Sequence, residues 1–195
     1  MTVLRAIVGF TFFHLAFWLR SQDQGAVWFG AVVGVAALAS MVGNAIAPKV
    51  RQRLSEESML TVCLLVSAGT GLAVSVLGGP VGAVFLAAIL NLAASLGRLS
   101  FESMVQRDAP GANQGRAFAR FESRFQLAWA IGAFIAVAIQ VPGRVGFLIV
   151  GVVAGMTVLY AIARRNGRDF SARSLGRATG QGPRSRSGSA RPKPR

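Results

Sequence analysis

The sequence predicts an all-α integral membrane protein with six transmembrane helices. Three observations predict it. Apolar residues make up 53% of the chain, mean hydropathy is +0.52 and only 14% of residues are charged, against about a quarter in an ordinary soluble domain. The apolar residues come in long blocks, not in an amphipathic rhythm. The charges are gathered into a few short segments and a basic carboxy-terminal stretch.

The first block is Leu4 to Leu19, with Arg5 read as snorkelling at one end and Arg20 at the other. The others are Ala26 to Ala47, Met59 to Leu77, Pro80 to Gly97, Phe125 to Val141 and Val145 to Ala163. A largely uncharged apolar block of about 17 residues or more can cross the roughly 30 Å hydrocarbon core as a helix. None alternates polar and apolar residues, so none reads as a barrel strand. Only "GGP" separates the third block from the fourth, and only "PGR" the fifth from the sixth, so both pairs are expected to turn tightly. The first block has the basic start of a signal peptide, but "AFWLRSQDQ" offers no small-x-small cleavage site, and it is read as a retained span. Residues 1–164 therefore form the expected membrane domain.

Charge placement sets the expected orientation. Arg5, Lys49, Arg51, Arg53, Arg98, Arg107, Arg116, Arg120, Arg124 and the ten cations after the sixth block fall on one side. The other side receives Arg20 and Arg144. The positive-inside rule then places both termini and the two long connections in the cytoplasm of a multi-pass plasma (inner) membrane protein. In this reading, spans one to three and four to six run in opposite senses, an inverted three-plus-three arrangement.

The segment "FESMVQRDAPGANQGRAFARFESRFQ", residues 101–126, is the main charged connection, and "FES" occurs in it at 101 and at 121. Its first part is expected to continue a helix until Pro110 and Gly111. Its second part sets Ala117, Phe118 and Phe121 on one face and Arg116, Arg120 and Arg124, four apart, on another. That is the pattern of an interfacial amphipathic helix leading into the fifth span. Residues 165–195, rich in Arg, Ser, Gly and Pro, are expected to be a disordered tail. Beside a membrane, attraction to anionic lipid headgroups accounts for its charge more simply than nucleic acid does, at about 1 kcal/mol per near-surface cation.

No catalytic set is legible. The chain has one His, no cluster of carboxylates and no metal-ligand spacing, so an enzyme is not expected and neither is a cofactor. The glycine clusters follow no strand, and no phosphate-loop Lys-Ser/Thr occurs, so none is read as a nucleotide fingerprint. The lone Cys63 lies inside the third span and carries no disulfide or metal reading. "GAVVG" at 30–34 and "GVVAG" at 151–155 fit the small-xxx-small packing pattern.

Against that background, "RDAPGANQGRAFA" at 107–119 is similar to the motif that major facilitator superfamily transporters carry between the fourth and fifth helices of a half. "GNAIAPKVRQRL" at 43–54 sits where that family places its glycine-rich basic loop. The chain over residues 1 to about 164 resembles one six-helix half of such a transporter, more narrowly the carboxy-terminal half of the actinobacterial-type members. The resemblance makes Gly43, Lys49, Arg51, Asp108, Pro110, Gly115 and Arg116 the cytoplasmic-loop motif residues. It also implies a small-molecule substrate bound between two halves near the bilayer midplane. The family's acidic residue after the loop glycine is replaced by Ala47 and Pro48, so its gating charge pair is not expected.

In that fold the first, second, fourth and fifth helices approach the pathway. The strongly polar residues follow suit: His14, Asn44, Asn91, Gln126 and Gln140 lie in those spans, while the third and sixth hold only hydroxyls, Cys63 and Tyr160. His14, Asn91, Gln126 and Trp129 are the expected pathway residues. For His14, with Phe10, Phe17 and Trp18 three or four positions away, the competing role is a helix-to-helix hydrogen bond. Two functions follow. One is half of a secondary transporter, completed by the amino-terminal half or by a second copy and not expected to move solute alone. The other is a non-transporting membrane scaffold or remnant.

Overall fold

The computed structural model describes residues 1–108 and 114–178, with residues 109–113 and 179–195 outside the described set. Six helices follow one another: α1 (Thr2–Arg20), α2 (Gly25–Arg51), α3 (Glu56–Leu77), α4 (Gly79–Asp108), α5 (Gln114–Ala138) and α6 (Gly143–Ala178). No strand occurs among the described residues. The chain divides into two compact units, Met1–Leu159 and Tyr160–Arg195. Of the second, only helix through Ala178 is described. The expected tail therefore begins as helix, in a stretch with no proline before Pro183, and the rest of it lies outside the described residues.

Local chemistry sets the helix ends. Ser55 caps α3 by accepting the Ser58 N–H at 3.3 Å, and Glu56 and Glu57 in the first turn suit the positive end of the helix. The α3–α4 turn rests on Gly78 at φ +68° and Gly79 at φ +81°, conformations a side chain resists. α2 continues past the end expected at Ala47, through Pro48 to Arg51. Gly43, Lys49 and Arg51 are thus helical and not in a loop; the connection is Gln52–Ser55. Pro48 cannot donate to the carbonyl one turn back, at Asn44, so α2 gives up one helical hydrogen bond there and ends within a turn, at Arg51.

Five of the six helices, all but α5, are long and apolar enough to cross a membrane. The expected fifth span ended at Val141, but α5 ends at Ala138, and Gln140 falls in the α5–α6 turn. Its uninterrupted apolar part, 127–138, is about 18 Å long at 1.5 Å per residue. Glu122, Arg124 and Gln126 occupy the turns before it. Elsewhere, large apolar side chains face outward, as with Val76 at 75%, Leu77 at 77% and Phe134 at 70% exposure. Such surface is tolerable where the surroundings are hydrocarbon.

Within the first unit, α1 packs chiefly along α5, and α2 and α3 along α4. Leu15 and Leu19 of α1, Leu86 and Leu90 of α4, and Phe147 and Val150 of α6 form the centre of the core. The crossings are close. A Cβ on Gly9 would collide with the Trp129 carbonyl oxygen, and one on Gly132 with that of Ala6, so α1 and α5 meet backbone to backbone. On α2 and α4, a Cβ on Gly43 would sit 2.8 Å from the Ser95 Cβ. On α3 and α6, one on Gly71 would sit 2.7 Å from the Gly151 nitrogen. Gly151 thus uses its small-xxx-small stripe, while Gly30 and Gly34 face open space.

This contrast gives a direct check. Gly132→Ala is expected to destabilise the folded protein by about 1–3 kcal/mol, because a helix must shift to admit the methyl. Gly30→Ala should leave stability unchanged or raise it by up to about 1 kcal/mol. Unfolding by denaturing detergent measures both; equal effects would remove the backbone contact as the determinant of the α1–α5 crossing.

Candidate functional site

A cavity of ≈ 290 Å³ lies between α1, α2, α4 and α5. Arg5, Val8, Thr11, Phe12 and Leu15 come from α1, and Val32, Val33, Ala36, Ala37 and Ser40 from α2. α4 supplies Ala87, Leu90 and Asn91, and α5 supplies Trp129. The lining is mainly apolar with a few polar groups, the usual constitution of a small-molecule site. Residues at i, i+3 and i+4 share a helix face, which explains how Val8, Thr11, Phe12 and Leu15 form one wall.

The hydrogen bonding of these polar groups is uneven. The Thr11 hydroxyl donates to the Ile7 carbonyl at 2.8 Å, and one Asn91 Nδ2–H to the Ala87 carbonyl at 2.9 Å, both within their own helices. Asn91 keeps its second N–H and its Oδ1 for other partners. Arg5 is different. Its Nε is buried and has no hydrogen-bond partner among the described residues. Arg5 is also the one charged side chain among those lining the cavity. Arg5 as a whole is partly exposed, so its Nε is turned to the cavity side while the side chain still reaches the surface. A sequence signal existed: Arg5 lies one residue inside the apolar run that starts at Leu4, not before it. Thr11 and Ser40 were not singled out either.

Of the four expected pathway residues, the structure brings two together in this cavity, Asn91 and Trp129. Trp129 is held by Phe12 and Phe13, at ring centroid distances of 6.5 and 6.0 Å. His14 is elsewhere. It is 3% exposed and turned toward α6, where its Nε2–H donates to the Gly143 carbonyl at 3.2 Å. Phe10 stacks on the ring at 5.6 Å and Phe147 meets it edge-on at 5.7 Å. Gly146 makes the room, since a Cβ there would occupy the imidazole's place. His14 is therefore a helix-to-helix tie, not a partner of Asn91. Asn44 is exposed on α2.

Gln126 points out of the cavity and donates from Nε2 to a Glu122 carboxylate oxygen at 2.8 Å. Nearby, a second cleft of ≈ 270 Å³ is lined by Arg98, Phe101, Glu102, Phe121, Glu122 and Phe125, among others. The two "FES" phenylalanines meet there edge-on at 4.9 Å, and Arg98 pairs with Glu102 at 2.7 Å. Arg116, Arg120 and Arg124 are exposed, as the amphipathic pattern requires, and Arg124 lies 6.0 Å from the centroid of the Phe121 ring.

The remaining motif residues do not converge on a site. Gly43 is buried against α4, while Lys49 and Arg51 are exposed on α2. Gly115 and Arg116 are exposed near the start of α5. Asp108 is described only as the last residue of α4, and Pro110 lies outside the described residues.

Comparison with known proteins finds a relative of unassigned function. An uncharacterized protein of Mycobacterium leprae is 28% identical over 150 residues, 74% of this chain and 25% of the relative. The chain spans about a quarter of the length of this curated relative. No family model and no solved structure matches.

The role of His14 is testable apart from the cavity. His14→Phe keeps a ring but loses the hydrogen bond to Gly143, and should destabilise the protein by about 1 kcal/mol. Thiol reactivity of an Asn91→Cys variant, in a Cys63→Ala background, should be the same with and without it. Loss of that reactivity at unchanged stability would return His14 to the cavity.

Proposed function

We propose that this chain is one six-helix unit of a membrane transporter for a small solute, with the α1–α2–α4–α5 cavity as its share of the substrate pathway. The observation that carries this reading is the identity of the lining helices. The first, second, fourth and fifth helices, which approach the pathway in the resembled fold, are the four that enclose the cavity, and they bring Asn91 and Trp129 to it.

The packing also supports an inverted repeat. Exchanging α1 with α4, α2 with α5 and α3 with α6 turns the α1–α5 pair into the α4–α2 pair, and both are main packing pairs. The same exchange maps the α3–α4 pair onto α6–α1, where Gly143 and Gly146 seat Trp18 and His14. In this reading α5 crosses the membrane along with the other five helices. Its short apolar stretch is helped by the close contact with α1, and its arginines lie at the cytoplasmic headgroups. Both termini are cytoplasmic. The Mycobacterium leprae relative, four times the length of the matched region, has room for further helices. A second six-helix unit, in the same or another polypeptide, closes the cavity along α2 and α5 and completes alternating access about it.

Thiol labelling tests this without knowledge of the solute. In a Cys63→Ala background, Asn91→Cys and Ser40→Cys are expected to react with a membrane-impermeant maleimide, because a transport pathway admits water. Met156→Cys, 64% exposed in the sixth span, should stay silent in lipid. Gly115→Cys should react only from the cytoplasm and Ser21→Cys only from outside. An Asn91→Cys that resists the reagent from both faces of the membrane sinks the pathway, and external labelling of Gly115→Cys reverses the orientation.

A further inference from the structure

We propose that the solute bound in this cavity is a small organic anion, with its acidic group held by Arg5 and its apolar body lying against Phe12 and Trp129. The inference rests on the transport reading and names the class of substrate.

The donors decide the sign. A guanidinium donates and never accepts, and the buried Arg5 Nε–H has nothing to donate to among the described residues. Trp129 has an N–H donor and no acceptor, and Asn91 has one N–H left after its bond to Ala87. No carboxylate lines the cavity. The two acidic residues within electrostatic range of Arg5, Glu102 and Glu122, line the neighbouring cleft instead. Both have other partners, Arg98 for Glu102 and Gln126 for Glu122.

A buried N–H without an acceptor is costly, and more so on a charged group. An oxyanion removes that cost, because a carboxylate or phosphate accepts from the guanidinium in a charge-assisted pair. A neutral solute meets the donors only in part, and a cation adds repulsion to the desolvation of Arg5. The space suits a ring-sized molecule. A dry cavity of roughly 150 Å³ admits benzene, and this one is ≈ 290 Å³.

The test uses the full chain in lipid nanodiscs, with Trp18→Phe and Trp28→Phe leaving Trp129 as the reporter. Benzoate, neutral benzamide and cationic benzylamine are the probes. Benzoate is expected to change Trp129 emission saturably, at an affinity at least tenfold above the other two. Arg5→Gln should lower benzoate affinity at least tenfold, to the benzamide level, and Arg5→Lys should keep part of the preference. The three-probe comparison in the Arg5-containing protein needs no folded Arg5 variant. Equal affinity for benzoate and benzamide overturns the proposal, as does unchanged benzoate binding in a folded Arg5→Gln protein. If no probe registers while Asn91→Cys still reacts with impermeant maleimide, the anion assignment falls and the pathway stands. If Asn91→Cys is unreactive as well, the transport reading falls with it.

Discussion

The backbone contact between α1 and α5 is the constraint on which the rest of the first unit depends. Gly9 and Gly132 each leave the space that the other helix's carbonyl group occupies, and no other residue type fits at either place. In hydrocarbon, helices gain little from burying apolar surface against one another, because lipid tails are equally apolar. Close packing and interhelical hydrogen bonds must hold them together. The glycine crossing supplies the first, and it positions the second: once α1 lies on α5, His14 faces α6 and reaches the Gly143 carbonyl. The same crossing puts Trp129 beside Phe12 and Phe13, which fixes one wall of the cavity.

A membrane interior penalises every unpaired polar group, so the way this chain satisfies its hydroxyls gives the background for its exception. Ser67 donates to the Cys63 carbonyl, Thr157 to that of Val153 and Ser123 to that of Ala119, each one turn back along its own helix. Ser100 divides its bond between the Leu96 carbonyl and the Met59 sulfur. Asn91 and Thr11 follow the same local habit on the wall of the cavity. Against that consistency, the buried Arg5 Nε stands out as the polar atom that the described residues leave without a partner.

The apolar blocks made the six helices legible because block length is a one-dimensional property. The third block was read to end at Leu77 and does, since Gly78 and Gly79 adopt backbone angles that stop a helix. Other ends shifted for reasons that hydropathy does not carry. α2 ran on through Pro48 for one further turn, and α5 stopped short of Val141. The site was only half legible. Asn91 and Trp129 share the cavity, but His14 was drawn away by the space at Gly146, more than a hundred residues distant in sequence. Likewise nothing in "GAVVG" and "GVVAG" distinguishes a glycine stripe that meets a neighbour from one that faces outward. The difference arises only from which helix lies alongside.

Arg5 shows why the direction of a side chain matters more than its depth. Cα–Cβ bonds in a helix tilt toward its amino terminus, so a cation in the first turns of α1 starts out aimed at the headgroups, and the expectation that it would snorkel was natural. The Arg5 side chain also borders the space between four helices, with Val8 and Phe12 beside it. A charge in that position interacts through a medium of lower effective dielectric than water, so its attraction for an opposite charge is greater than at a surface. The acidic residues on α4 and α5 act on Arg5 through space, and each bonds along its own helix, Glu102 to Arg98 and Glu122 to Gln126. Their charge reaches Arg5 without supplying an acceptor to its Nε, which is the donor left toward the cavity.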